Sequence, residues 1–222
     1  MQKLVDYLLS VDRSWLITWL MIYVGFLLAD AITPGEWYVT LLKYGGIFLC
    51  LVYGIQKYRS DVSLELALLF TLLADTILVI DSTSIIGVFV FCLAQFFHLA
   101  RFRNISPATL APYILIIIIV FFFSVQNGII PMFAIAFVYG MTLILNLILS
   151  QKWYRHEPSA QSLCAASGFS LFLCCDLCVA CSYLSLIEVL APFIYPLANY
   201  FSWFFYYPSQ ILISNSSKQL IS

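Results

Sequence analysis

The chain has 222 residues, of which 63% are hydrophobic and only 9% are charged, and its formal net charge is −1. Its mean hydropathy of +1.00 lies far from the half-apolar, quarter-charged profile of soluble domains. This composition excludes a soluble enzyme or a soluble nucleic-acid-binding module. It predicts a single all-α, polytopic membrane domain that covers residues 1–222.

Eight apolar runs of roughly membrane-spanning length follow one another along the chain. Polar residues separate them, from the stretch Asp30–Glu36 after the first run to the longest connection, Lys152–Gln161. The sequence therefore predicts eight transmembrane helices, which we number spans 1 to 8: residues 14–29, 37–55, 64–80, 85–100, 110–125, 129–149, 162–184 and 191–214.

The distribution of charge supports this count. If both termini are cytoplasmic, nine of the ten Lys and Arg residues fall on the inner side: Lys3, Arg13, Lys57, Arg59, Arg101, Arg103, Lys152, Arg155 and Lys218. The outer connections then carry only acidic residues: Asp30, Glu36, Asp81 and Glu188. A missed or extra span would mix the two sets, so the positive-inside rule predicts eight spans with both termini in the cytoplasm.

Three charged residues are predicted to lie within the membrane. Asp75 is in span 3, Asp176 in span 7 and Lys43 in span 2, each roughly 9–12 Å below the outer end of its helix at 1.5 Å per residue. Intramembrane charges are costly and usually functional, so one shared polar site is the first interpretation. The alternative is structural: Lys43 pairs with one aspartate to fix helix packing, or Asp75 only bonds to a neighbouring helix.

Polar side chains also recur at helical spacing. Span 8 carries Asn199, Ser202, Tyr206 and Gln210 on one face, with Tyr207 beside them. Span 4 adds Gln95 and His98, and span 6 offers a weaker stripe of Tyr139, Thr142 and Asn146. Such stripes can simply join helices. Several stripes together with three buried charges better fit an internal cavity that holds a polar head group.

Three short motifs carry a resemblance to a known family. They are Ala67–Asp75, Gly168–Asp176 and Tyr206–Gln210 with its Tyr-Tyr-x-x-Gln pattern, and Lys43 stands where that family has a lysine in its second helix. In this order and with eight helices, the chain resembles the lysoplasmalogenase-like (YhhN) family over most of its length.

The resemblance implies that the chain hydrolyses the vinyl ether bond of a lysoplasmalogen, with Asp75 and Asp176 as the catalytic acids. Protonation of a vinyl ether carbon leaves an oxocarbenium ion that water attacks. One acid would donate the proton, and the other, kept ionised by Lys43, would stabilise the cation and orient the water. The remaining polar groups would bind the substrate: Lys43, Gln95, Asn199, Tyr206, Tyr207 and Gln210.

A second class of function remains open, because intramembrane acids and a lysine also serve in proton-coupled transporters or in lipid-binding membrane proteins. We find no convincing inverted repeat, which many transporters contain. The seven cysteines all lie in apolar runs and indicate packing rather than a metal site. We expect no cofactor, no metal, no nucleic acid and no obligate protein partner. The expected partners are a lysophospholipid substrate and the lipids of a cell membrane or endomembrane.

Overall fold

The computed structural model describes residues 13–103, 107–128 and 130–217, and the regular structure in those ranges is entirely helical. The all-α prediction is therefore confirmed. A short 3-10 turn, Pro107–Thr109, precedes the fifth of eight described α-helices: α1 Arg13–Ile32, α2 Trp37–Lys57, α3 Val62–Ile80, α4 Ile85–Arg103, α5 Leu110–Gln126, α6 Pro131–His156, α7 Ala160–Leu186 and α8 Ile194–Ser214. Lys3, Lys218 and Ile129, the first residue of predicted span 6, lie outside the described residues.

Six of these helices, α1 to α4 with α6 and α7, are long and apolar enough to cross a membrane. Helix α5 is apolar but has 17 residues, and α8 contains Pro208 among many polar and aromatic residues. The outward side chains are apolar as well: Phe122 and Phe123 of α5 are about three-fifths exposed, as expected for a surface covered by lipid. The chain is a multi-pass membrane protein, and the count of eight crossings stays a prediction.

The helix ends follow local chemistry. The Asp61 carboxylate accepts the backbone N–H of Leu64 at 3.0 Å and caps α3. Ser159 and Ser162 form a reciprocal capping box at the start of α7. Pro131 takes the first position of α6, where its missing N–H costs nothing. Gly128, with φ +67°, supplies the left-handed residue after α5.

The turn between α3 and α4 is fixed by Asp81. The hydroxyl and the backbone N–H of Thr83 donate to Asp81 Oδ1 at 2.7 and 3.0 Å. These hydrogen bonds favour the ionised carboxylate and hold the pKa of Asp81 below its ordinary value. The turn therefore keeps a negative charge at the predicted outer side.

Two sequence predictions about connections were wrong. Asp30 was predicted to lie in the outer connection after span 1, but α1 continues to Ile32 and Asp30 is buried. Lys152–Gln161 was predicted to be the longest polar connection, but α6 continues to His156. Asp30 stays in its helix because it pairs with Lys43. The basic residues at the end of α6 can keep their charge in water while their stems pack on the helix.

The described residues form two compact units, and the boundary between them falls within α2 and within α6. The terminal unit consists of residues up to Cys50 together with Tyr154–Ser216. In it, α7 and α8 pack along their lengths. They come close at Gly168, where a β-carbon would lie 2.8 Å from the Ile213 side chain, so only glycine fits.

The central unit consists of Leu51–Trp153 with Ser217. Helices α3 and α4 form an antiparallel pair that is tight at Gly87, where a β-carbon would lie 2.6 Å from Leu78 Cγ. A small apolar core joins α4, α5 and α6: Cys92, Ile117, Ile135 and Val138.

Candidate functional site

A buried ion pair lies in the terminal unit. Lys43 Nζ donates to Asp30 Oδ2 at 2.7 Å, and the side chains of Lys43 and Asp30 are only 9% and 6% exposed. The sequence predicted Asp75 or Asp176 as the partner of Lys43, and the partner in the structure is Asp30. A buried ammonium group needs such a counter-charge, so the pair accounts for the charge on both residues.

Aromatic rings cover this pair. Lys43 Nζ lies 5.0 Å from the centroid of the Trp203 ring, within the range of a cation–π interaction. Trp203 meets Tyr206 edge to face at 5.4 Å and Phe26 at 6.4 Å. The ammonium group is thus contacted by the Asp30 carboxylate of α1 and by the Trp203 ring of α8.

Tyr207 is fully buried against α1 and α2. Its ring stacks on Tyr23 at 5.9 Å and meets Phe26 edge to face at 5.5 Å. A β-carbon on Gly46 would lie 2.9 Å from Tyr207 Cζ and 3.1 Å from its hydroxyl, so Gly46 makes room for the phenol. Among the described residues the Tyr207 hydroxyl has no hydrogen-bond partner.

The polar stripe of α8 is confirmed as a buried face over most of its length. Ser202, Tyr206 and Gln210 are buried, while Asn199 at the start of the stripe is exposed. Neither amide atom of Gln210 has a hydrogen-bond partner within the described ranges. Tyr207 and Gln210 are therefore two fully buried polar groups whose hydrogen-bonding capacity the described residues do not satisfy.

A proline makes the same helix irregular. Pro208 lacks the N–H that would bond to the carbonyl of Phe204. The Tyr23 hydroxyl of α1 donates to that carbonyl at 2.9 Å. A side chain on α1 thus replaces the missing helical hydrogen bond.

Asp176 belongs to the terminal unit. It is half-buried on α7, ten residues before the helix ends at Leu186. Phe172, one turn earlier on the same face, packs on Tyr206 with 5.6 Å between ring centroids. The predicted substrate-binding Tyr206 therefore lies beside the turn that precedes Asp176.

Asp75 belongs to the central unit and is 8% exposed. It lies on the buried face of α3 with Thr71, Leu72 and Ala74. No polar side chain other than Thr71 shares that buried face within one turn of Asp75. The burial of Asp75 agrees with the sequence prediction, and its depth in the membrane stays a prediction.

Gln95, also in the central unit, is fully buried and bonded to Asn146 of α6. Asn146 Nδ2 donates to the Gln95 backbone carbonyl at 2.9 Å and to Gln95 Oε1 at 2.8 Å. The Gln95 Nε2 and Asn146 Oδ1 atoms have no partner in the described part of the chain. The weak stripe predicted on span 6 therefore contributes a residue to the polar interior.

A second buried charge cluster joins the start of α3 to the end of α4. Arg101 Nε lies 3.6 Å from Asp61 Oδ2, and Arg101 Nη1 lies 3.2 Å from His98 Nδ1. Ser217 donates to Asp61 Oδ2 at 2.9 Å. Asp61 is also the cap of α3, so this cluster, with His98, has a structural role at the end of the helix pair.

The described residues contain no group of three or more His, Cys, Asp or Glu side chains that could hold a metal. All seven cysteines are free thiols. On α7, Cys174 is exposed, and Cys178 and Cys181 are half-buried.

Sequence reasoning missed three parts of the terminal unit: Asp30, Trp203 and Gly46. Asp30 lies 13 residues before Lys43, across the short connection between α1 and α2. That spacing could have suggested the pair. Trp203 and Gly46 gave no signal, because one stands in a helix full of aromatic residues and the other beside a second glycine.

The YhhN family model matches residues 37–217. No curated protein and no solved structure matches the chain. The matched range begins after Asp30 and includes Lys43, both predicted catalytic aspartates and the polar face of α8. Because the match covers well over half of the residues, this membrane protein belongs to the YhhN family.

Proposed function

We propose that this protein is a membrane-embedded hydrolase that cleaves the vinyl ether bond of lysoplasmalogens, or of a related lyso-ether lipid. The products are a fatty aldehyde and a glycerophospho-alcohol. The observation that carries the proposal is the family match over residues 37–217, which includes one carboxylate on each of two apolar helices, Asp75 and Asp176.

The chemistry requires two acids in different protonation states. A protonated carboxyl group delivers a proton to the vinyl carbon, and an ionised one stabilises the oxocarbenium ion and accepts a proton from the attacking water. Asp75 and Asp176 are the proposed pair. An aspartate in an apolar helix weakens membrane insertion by roughly 2.5–3.5 kcal/mol, and ionisable residues at such positions are usually functional.

The proposed role of Lys43 is to bind the phosphate of the lipid head group. Its pairing with Asp30 at 2.7 Å keeps an ammonium group charged in a buried place, and a phosphate oxygen is a suitable second acceptor for it. Tyr206, Tyr207 and Gln210 would donate hydrogen bonds to the head group, and Asn199, exposed at the start of the stripe, would meet it first. Gln95, on the helix next to that of Asp75, is proposed to bind the substrate as well.

The test is to incubate the purified protein with a panel of lysophospholipids, with and without a vinyl ether, and to detect released aldehyde by mass spectrometry. We expect aldehyde only from vinyl ether lipids. Asp75→Asn and Asp176→Asn should each lower kcat by orders of magnitude while the yield of folded protein is kept, because asparagine preserves shape but carries neither charge nor an acidic proton.

Exposed Glu188→Gln serves as the matched control, since it changes one acidic residue in the turn after α7. It should leave kcat unchanged. Full activity in either asparagine variant would contradict the two-acid mechanism. Absence of aldehyde from every lipid would contradict the proposed reaction itself.

A further inference from the structure

Among the buried polar atoms of the central unit for which the described residues provide no hydrogen-bond partner, three lie on three different helices, α3, α4 and α6. Thr71 of α3 is 1% exposed, and Gln95 of α4 and Asn146 of α6 are fully buried. The Thr71 hydroxyl, Gln95 Nε2 and Asn146 Oδ1 make no hydrogen bond within the described residues. Buried polar groups are almost always bonded to protein or to an ordered water molecule, so these atoms need a common explanation.

The helix register places the three atoms at one level. Gly87 faces Leu78 where α3 and α4 are closest, and Phe97 stacks on Phe70 at 5.3 Å with nearly parallel rings. Between these two contacts an antiparallel pair sets residue 71 opposite residue 95. Asn146 is held at that level by its two hydrogen bonds to Gln95.

The hydrogen bonds also fix which atoms are free. A backbone carbonyl can only accept, so the nitrogen of Asn146 must face the Gln95 carbonyl and Oδ1 is the free acceptor. The same nitrogen donates to Gln95 Oε1, which leaves Gln95 Nε2 as a free donor. With the Thr71 hydroxyl, the set comprises a donor, an acceptor and a group that can be either, which is the complement of a water molecule.

We propose that Thr71, Gln95 and Asn146 bind a water molecule inside the central unit, and that this is the water consumed in the reaction. The second part rests on the proposed hydrolase function. Asp75 lies one helical turn beyond Thr71 on the same buried face of α3, so its carboxylate is the proposed acceptor of the water proton. Asp176 is then the proton donor.

The proposed hydrolysis of a vinyl ether passes through an oxocarbenium ion and a hemiacetal. The acid protonates the vinyl carbon and leaves an oxocarbenium ion. A lone pair of the water forms a C–O bond to the cationic carbon, and one water proton passes to Asp75. The resulting hemiacetal breaks its bond to the glycerol oxygen, which takes the proton from Asp75, while the hemiacetal hydroxyl returns a proton to the carboxylate that donated the first one. One water thus yields one aldehyde and one alcohol, and both acids return to their starting protonation states.

Thermal unfolding of Thr71→Val in detergent, without lipid substrate, tests the water site independently of activity. If water is bound, the variant loses a hydrogen bond and its midpoint should fall by about 2–4 °C. Thr142→Val is the matched control, because the Thr142 hydroxyl is bonded to Tyr113 and to the Val138 carbonyl and its loss should have a similar effect. An unchanged or raised midpoint for Thr71→Val alone would show that no water is held there.

Competition between water and methanol tests the role in the reaction. Methanol that attacks the same cation gives a stable mixed acetal, heavier than the substrate by one methanol. Loss of one hydrogen bond to the water should shift the ratio of aldehyde to acetal about fivefold toward acetal in Thr71→Val and Asn146→Leu. Thr71→Ser should restore the ratio, and Thr142→Val should not change it.

An unchanged ratio in Thr71→Val would overturn the role of this water as the nucleophile. If the wild-type protein releases no aldehyde at all, the hydrolase proposal and the nucleophilic role fail together. The thermal comparison then still decides whether the water site exists, so the two failures are distinguishable.

Discussion

At the scale of single residues, the pair Asp30–Lys43 is the best-defined feature of the terminal unit. Both side chains are less than a tenth exposed and their charged atoms are 2.7 Å apart. Burying two charges costs several kcal/mol per ion, and their attraction offsets this only in good geometry. A chain that needed Asp30 and Lys43 only for packing could use two apolar residues instead, which favours a use for the lysine charge.

Removing one partner should therefore be worse than removing both. Asp30→Asn leaves the ammonium group buried without a counter-charge and should lower the free energy of unfolding by about 3–5 kcal/mol. The double variant Asp30→Leu with Lys43→Met should be close to wild type or more stable. Thermal unfolding in detergent measures the difference, and lipid hydrolysis should be lost in the double variant if Lys43 binds the phosphate.

Lys152→Met is the control for loss of a lysine charge. Lys152 is exposed near the end of α6, so its replacement should change the free energy of unfolding by no more than about 0.5 kcal/mol. A double variant that keeps full hydrolytic activity would rule out Lys43 as a substrate-binding residue.

At the scale of elements, α8 is an unusual helix, because its inner face is polar and its regular hydrogen bonding is broken at Pro208. Other elements of the terminal unit compensate. Tyr23 of α1 bonds to the Phe204 carbonyl. In α2, Gly46 stands at the position where any side chain would collide with the Tyr207 ring. The position of Tyr207 is thus set by helices α1 and α2 rather than by α8 alone.

The two adjacent glycines of α2 test this packing. Gly46→Ala places a methyl group against the Tyr207 ring, and such overpacking should lower the free energy of unfolding by about 1–3 kcal/mol. Gly45→Ala meets open space and should be neutral or stabilising by up to about 1 kcal/mol, since alanine is the better helix former. Equal stability and equal activity in the two variants would mean that Tyr207 is not held by α2.

The helices themselves were predictable from sequence, whereas their contacts were not. Apolar runs placed the helix ends to within three residues, because such signals are local, except that α6 ends at His156 and not at residue 149. Asp30 was assigned to a connection, since an aspartate shortly before a Pro-Gly pair normally marks one and only the contact with Lys43 shows otherwise. The bond between Gln95 and Asn146 joins residues 51 positions apart, and no local pattern predicts which of two polar stripes face each other.

At the scale of the whole molecule, the charge pattern bears on the two helices outside the set of six long apolar ones. Arg101 and Arg103 end α4, and Lys152 and Arg155 lie in the last turns of α6. If α5 did not cross the membrane, α6 would carry Lys152 and Arg155 to the outer side, against the positive-inside rule. The same argument predicts that α8 crosses, because Lys218 would otherwise lie on the outer side.

Reporters placed between the helices can test each crossing separately. A reporter in the turn Gln126–Gly128 should read external if α5 spans, and one after Ser222 should read cytoplasmic if α8 spans. Insertions at Asp81 and at Ser60 in the short connection between α2 and α3 are the references, expected to be external and cytoplasmic. The helices on either side of each are among the six long apolar ones, and neither position depends on whether α5 crosses. A cytoplasmic signal at Gln126–Gly128 would remove α5 from the membrane and would reverse the direction of α6, α7 and α8. Asp176 would then approach from the opposite side, and the common depth predicted for Lys43, Asp75 and Asp176 would be lost, since that depth depends on α3 and α7 running in the same direction.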